Sequence, residues 1–138
     1  MAEDSENVRL VRRALQAFND RDLDAMWLIW ADDFLFRQIG GFAALSGAEH
    51  RGADAREWLR DWFDTIGGRI AVESILEADD QVLAIMKVAG AGIASGAPAT
   101  MRIGQIFSFR DGKISGVDSY YEAGEALKAL GLSDPAPT

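Results

Sequence analysis

The sequence predicts an α+β domain in which helices come first and a mostly antiparallel sheet follows. Three observations predict it. Apolar residues recur at helical spacing in three segments before Gly67-Gly68, the remainder of the chain changes period from 3.6 to 2, and Arg110-Asp111-Gly112-Lys113 is a strong signal for a two-residue hairpin. Helices and strands do not alternate as βαβ units would require.

In the segment Glu6 to Asn19, Val8, Val11, Leu15 and Phe18 share one face while Arg9, Arg12, Arg13 and Gln16 take the others, which predicts an amphipathic helix. The polar break Asn19-Asp20-Arg21-Asp22 ends it. Asp22 is placed to cap a short second helix whose stripe is Leu23, Met26, Trp27 and Trp30. Phe34, Phe36 and Gln38 alternating with Leu35, Arg37 and Ile39 predict a strand stopped by Gly40-Gly41. The stretch Phe42 to Gly52 has no period and reads as a loop. Ala55, Trp58, Leu59, Trp62, Phe63 and Ile66 then trace a third helix, stopped by Gly67-Gly68. Strands are expected from Arg69 to Glu77 and from Gln81 to about Ala94, with a turn at Asp79-Asp80 between them. After a turn at Gly96-Ala97-Pro98, the apolar positions Met101, Ile103, Phe107 and Phe109 mark a strand running to Arg110. The last strand covers Lys113 to Tyr121, and a short helix from about Ala123 to Leu130 ends at Gly131.

With 138 residues, 49% of them hydrophobic and 26% charged, the chain has the composition of one globular domain, 1–138, with a core from about residue 6 to 132. The absence of cysteine excludes disulfides, thiolate metal ligands and cysteine nucleophiles. A metal site is not expected from a single histidine with no carboxylate pair at ligand spacing. The Gly90-Ala91-Gly92 and Gly96 region lacks the strand-loop-helix setting of a phosphate site, so no nucleotide site is implied; no cofactor is expected. A net charge of -8 repels phosphate backbones, which argues against nucleic-acid partners. No apolar run approaches the roughly 20 residues of a membrane span and the acidic start does not resemble a signal peptide, so a cytoplasmic location is expected.

Several residues draw attention on chemical grounds. Gln38 and Gln105 interrupt strand faces that are otherwise apolar; each amide either bonds within the protein or orients a ligand. Asp118 and Tyr120 share a strand face by the period of two. Facing inward, Asp118 would be a desolvated carboxylate fit for a base; facing outward, it is a solvated charge. His50, the only histidine, is either a loop anchor or a proton-transfer group. Trp27, Trp30, Trp58 and Trp62 fit helical core stripes and are also able to wall a cavity for a flat ligand.

The phrases Ala17-Phe18-Asn19-Asp20-Arg21-Asp22-Leu23-Asp24, Trp30-Ala31-Asp32-Asp33, His50-Arg51-Gly52 and Phe107-Ser108-Phe109-Arg110-Asp111-Gly112-Lys113-Ile114 resemble the running pattern of the nuclear transport factor 2-like superfamily, and within it the SnoaL-like and ketosteroid isomerase-like branch. The resemblance implies a cone-shaped, curved, mostly antiparallel sheet wrapped around helices, with an internal apolar pocket and a homodimer. It places Ala14, Gln38 and Gln105 where the isomerases carry a tyrosine and two aspartates, so that machinery is absent. The segment Tyr121-Glu122 to Leu130-Gly131 resembles SnoaL-like cyclases, which pair an acid with a histidine on the sheet; Glu122 occupies the acid's position. The expectation is a pocket for a small apolar or aromatic molecule. Asp118 or Glu122 would accept a proton, Tyr120, Gln38 and Gln105 would polarise the substrate, and Phe36, Trp30, Trp58, Trp62, Ile103, Phe107 and His50 would complete the lining. Cofactor-free cyclisation, isomerisation or dehydration and non-catalytic ligand binding or dimerisation are the two functions it leaves open.

Overall fold

The computed structural model describes residues 5–39, 49–66, 69–91, 98–120 and 122–134. Four helices and six strands follow in the order α1 (Glu6–Asp20), α2 (Leu23–Ile29), β1 (Trp30–Ile39), β2 (Glu49–Arg51), α3 (Ala53–Ile66), β3 (Arg69–Ala78), β4 (Gln81–Ala91), β5 (Pro98–Arg110), β6 (Lys113–Tyr120) and α4 (Ala123–Ala129). The helices-first order and the α+β class are as the periodicities predict. The stops at Gly40-Gly41 and Gly67-Gly68 and the turn at Gly96-Ala97 lie outside the described residues.

Local chemistry starts and stops the leading helices. Ser5 caps α1 by accepting from the Val8 amide at 3.2 Å, and Asp22 caps α2 by accepting from the Ala25 amide at 3.1 Å. Between them Arg21 takes a left-handed conformation, φ 59°, its amide donating to Ala17 and Phe18. The second helix is shorter than its stripe implies. It stops at Ile29, and Trp30 turns directly into β1 with φ -86° and ψ 140°, its ring stacked on Phe34 at 3.6 Å.

The open sheet has the order β2-β1-β6-β5-β4-β3. Every neighbouring pair is antiparallel except β1 and β6, which run parallel. The hairpin joining β5 to β6 is the expected one, with Asp111 and Gly112 at φ 53° and 75° and Arg110 paired with Lys113. The segment read as a loop before α3 contains a strand, β2, added to the edge of β1 through Leu35–Arg51, Phe36–His50 and Arg37–Glu49. Three residues are too few to display a period.

The two faces of the sheet pack differently. On one, Phe34, Phe36, Val82, Ala84, Met86, Phe107, Ile114 and Val117 meet Val8, Val11 and Leu15 of α1, Met26 of α2 and Leu59 of α3. On the other, Leu83, Ile85 and Ile106 lie against Ala123, Ala126 and Leu127 of α4. Ile114 and Val117 sit three apart yet face the same core because the ladder skips a residue: Phe109 pairs with Ile114, and Ser108 with Gly116. That bulge re-aims the rest of β6.

Candidate functional site

The three-helix face of the sheet carries a lateral row of polar side chains set into its apolar surface. Gln38 on β1 and Gln105 on β5 both pair in register with Ser119 on β6, and cross-strand partners share a face. The Gln38 amide donates from Nε2 to the Ser119 main-chain oxygen at 3.4 Å, and the Gln105 amide donates from Nε2 to Ser119 Oγ at 3.2 Å. Ser119 is itself buried, 4% exposed. Both glutamines are half-buried. Ala84 and Ile103, members of or packed against the core, neighbour Gln105 across and along the strands.

Two residues back along β1, one pleat repeat and roughly 7 Å away, Phe36 pairs with His50 of β2. Trp58, one turn into α3, lies between them. Its ring is 4.8 Å from that of Phe36 and 4.9 Å from the His50 ring, the latter pair inclined by only 20°. His50 Nδ1 is 2.9 Å from Asp54 Oδ2. The histidine side chain is 21% exposed, its partner carboxylate 68%. Gly52 makes this corner possible: at φ +59° it turns the chain from β2 into α3, donating its amide to the Phe34 carbonyl at 2.7 Å. The turn places Asp54 in the first turn of α3, where the helix dipole favours a carboxylate.

The arrangement has the elements of a proton-transfer site. A carboxylate on Nδ1 holds the neutral imidazole with its proton on Nδ1 and its lone pair on Nε2. Trp58 and Phe36 supply an aromatic wall beside it, and the amide row supplies polar groups that cannot themselves titrate.

The residues proposed from sequence are therefore divided. Phe36, Gln38, His50, Trp58, Ile103 and Gln105 come together on the three-helix face. Trp30 and Phe107, 4% and 3% exposed, are part of the packed core of that face. The side chain of Trp62 lies outside the described residues. Asp118 and Tyr120 stand on the opposite face, because Asp118 pairs in register with Arg37 and Ile106, and Ile106 packs against α4. There the Asp118 carboxylate receives two hydrogen bonds from Arg37, Nε to Oδ1 at 2.8 Å and Nη2 to Oδ2 at 2.7 Å. These bonds, and the charge behind them, raise the Arg37 guanidinium above its ordinary value. Tyr120 packs at the edge of the α4 cluster. Glu122 is exposed at the start of α4 and makes no side-chain capping bond. Of the two readings that the sequence left open for Asp118, neither holds in full: the carboxylate faces away from the three-helix core, yet it is half-buried and paired with Arg37, and the bulge at Ser115 is what puts Ile114 and Val117 together on the other face.

Sequence reasoning missed Asp54 and Ser119. The His50-x-x-x-Asp54 spacing was visible, but it acquires meaning only once β2 and the first turn of α3 are known. A serine between two larger polar residues on a strand carries no signal of its own. Among the described residues, the buried donors Trp30 Nε1 and Arg56 Nε lack a hydrogen-bond partner; the Arg56 guanidinium lies 5.2 Å from the centre of the Trp27 ring.

Residues 11–117 match the model of the SnoaL-like domain, and the chain belongs to that family. Solved structures agree on the fold. An NTF2-like protein of unknown function from Burkholderia pseudomallei superposes with a TM-score of 0.74 at 20% identity, covering 92% of this chain and 98% of its own. TerC, co-crystallised with polyporic acid, gives a TM-score of 0.74 at 22% identity, covering 91% of this chain and 98% of its own. An LEH-like epoxide hydrolase from M. tuberculosis gives 0.69 at 21% identity, covering 91% and 89%. No curated protein matches the chain. Among the described residues, no helix is long and apolar enough to cross a membrane.

Proposed function

We propose that the chain is a cofactor-independent acid–base enzyme acting on a small, flat, largely apolar molecule held against the three-helix face of the sheet. The observation that carries this reading is the His50–Asp54 pair stacked on Trp58, one pleat repeat from the Gln38–Ser119–Gln105 row. His50 Nε2 takes the substrate proton, Asp54 holds the ring and stabilises the imidazolium, and Trp58 and Phe36 stack on the substrate. The resemblance to cyclases that pair an acid with a histidine supports it, with Asp54 rather than Glu122 in the acid's role. An epoxide hydrolase and a protein co-crystallised with polyporic acid share this fold, which supports a small-molecule ligand but not its identity.

Wild type, His50→Gln and Asp54→Asn should be screened against aromatic, polyketide-like and terpenoid compounds by thermal shift and mass spectrometry. General acid–base groups contribute roughly 10²–10⁴-fold to rate. His50→Gln should therefore bind a turned-over compound and lose that factor in kcat. Asp54→Asn should lose less, since an amide carbonyl still accepts from Nδ1–H but offers the imidazolium no charge. A compound bound by all three proteins and changed by none would place the chain among non-catalytic ligand-binding modules of the same fold.

A further inference from the structure

The amide row has a hydrogen-bond polarity, and it selects the chemistry of the ligand group that lies on it. The main-chain oxygen of Ser119 can only accept, so the bond from Gln38 turns that amide's nitrogen toward β6 and its carbonyl away. Gln105 is turned the same way, its Nε2 on Ser119 Oγ. Among the described residues, neither Gln38 Oε1 nor Gln105 Oε1 accepts a hydrogen bond. Ser119, buried at 4% exposure between the two, receives both nitrogens, Gln38 on its main-chain oxygen and Gln105 on its hydroxyl.

From this we infer that the row recognises a ligand hydroxyl as a hydrogen-bond donor, with Ser119 as the positioning residue that fixes the preference. The inference rests on the small-molecule reading above and narrows its substrate class to hydroxylated compounds, phenols or alcohols. In the free protein, water reaches the half-buried amide oxygens. A ligand covering the row removes that water and must replace its hydrogen bond, or leave two acceptors unsatisfied. A hydroxyl donates to an amide oxygen and still accepts from the hydrogen remaining on each Nε2. A ketone or ether can only accept, so it satisfies the nitrogens and strands the oxygens. One N–H of each glutamine is engaged by Ser119, which leaves its oxygen as an open acceptor beside one remaining donor.

The test compares 2-naphthol with 2-methoxynaphthalene, which shares the ring system and the oxygen but has no hydrogen to donate, by isothermal titration calorimetry. Wild type is expected to bind the naphthol about tenfold more tightly, the worth of one hydrogen bond to an otherwise stranded acceptor. Ser119→Ala, which frees the Gln105 amide to rotate, should shrink that ratio, and Gln38→Met and Gln105→Met should each shrink it while removing an acceptor outright. The ratio is the readout because loss of folding or of aromatic stacking lowers both affinities together. Equal binding of the two probes by wild type would overturn the hydroxyl preference and leave the aromatic site standing. A wild-type preference that survives in all three variants would place its origin elsewhere and overturn the role of the row. Failure of both probes to bind would remove the small-molecule site itself, and the inference with it.

Discussion

Gly104 shows how closely a single residue can set the distance between two layers. It lies on β5 beneath α4, and a Cβ there would stand 2.6 Å from Ala126 Cβ, 3.3 Å from Leu83 Cδ1 and 3.4 Å from Ala123 Cα. The first distance is a clash with a short side chain that has no freedom to move aside. Gly104→Ala should destabilise by about 1–3 kcal/mol, the usual cost of overpacking, as read by urea denaturation. Ala126→Gly alone also destabilises, through helix propensity. Their combination should cost less than the sum, because loss of the Ala126 methyl removes the clash that Gly104→Ala creates. The glycine shows in the sequence only as a residue opposite no turn, and its role depends on the helix above it. The site was legible to a similar degree. Gln38, Gln105 and His50 stood out as polar groups in apolar surroundings, and the structure brings them to one face. Asp118 went outward because one skipped residue near Ser115 inverts the alternation, and no periodicity shows a bulge in advance.

Between elements, Asn19 shows why a phrase of the leading helices is more than a turn. At the end of α1 its side chain both donates to the Ile70 carbonyl, at 2.8 Å, and accepts from the Ile70 amide, at 2.9 Å. It thus continues the ladder of the edge strand β3 as another strand would. Ile70 is buried, 8% exposed. Asn19→Ala leaves both main-chain groups without partners, and a loss of about 2–3 kcal/mol is expected. Hydrogen exchange is the more specific measurement: the Ile70 amide should lose protection well beyond the rest of β3. The helices and the β5–β6 hairpin were readable because their signals are local: one periodicity, one cap or one dipeptide each. What was not readable is non-local. The short strand β2 exists only as an addition to β1, and Trp30 continues a helical stripe in sequence while its ring is held by Phe34 of a strand. The parallel pairing of β1 with β6 joins residues some eighty positions apart, a contact that no window of sequence contains.

At the scale of the molecule, the sheet separates two kinds of electrostatics. Among the described residues, the amide row and His50 are set into the apolar three-helix face, while ion pairs tie the opposite face and the ends of the strands. Arg102 on β5 is held by Glu73 of β3 at 2.6 Å and by Asp134, beyond α4, at 2.8 and 2.9 Å. These bonds, Asp134 first, raise the Arg102 guanidinium above its ordinary value. An arginine is charged at any pH the fold survives, so the pH response falls to the carboxylates. Asp33 on β1 is bonded to Arg110 at the end of β5, and that bond, the largest cause, holds its carboxyl below the ordinary range. A group with a lowered value in the folded protein contributes stability that is complete above its unfolded value, near pH 4, and is lost as the pH falls through the folded one. Both partners are about half exposed, so the contribution is small and screened by salt. The difference in stability between wild type and Asp33→Asn should accordingly be constant from pH 7 to 5, narrow below about pH 4 and shrink in 1 M salt. Acid unfolding curves of the two proteins test this. A difference that persists unchanged at the lowest pH at which both remain folded would assign it to β-strand propensity at position 33 rather than to the bridge between β1 and the β5–β6 hairpin.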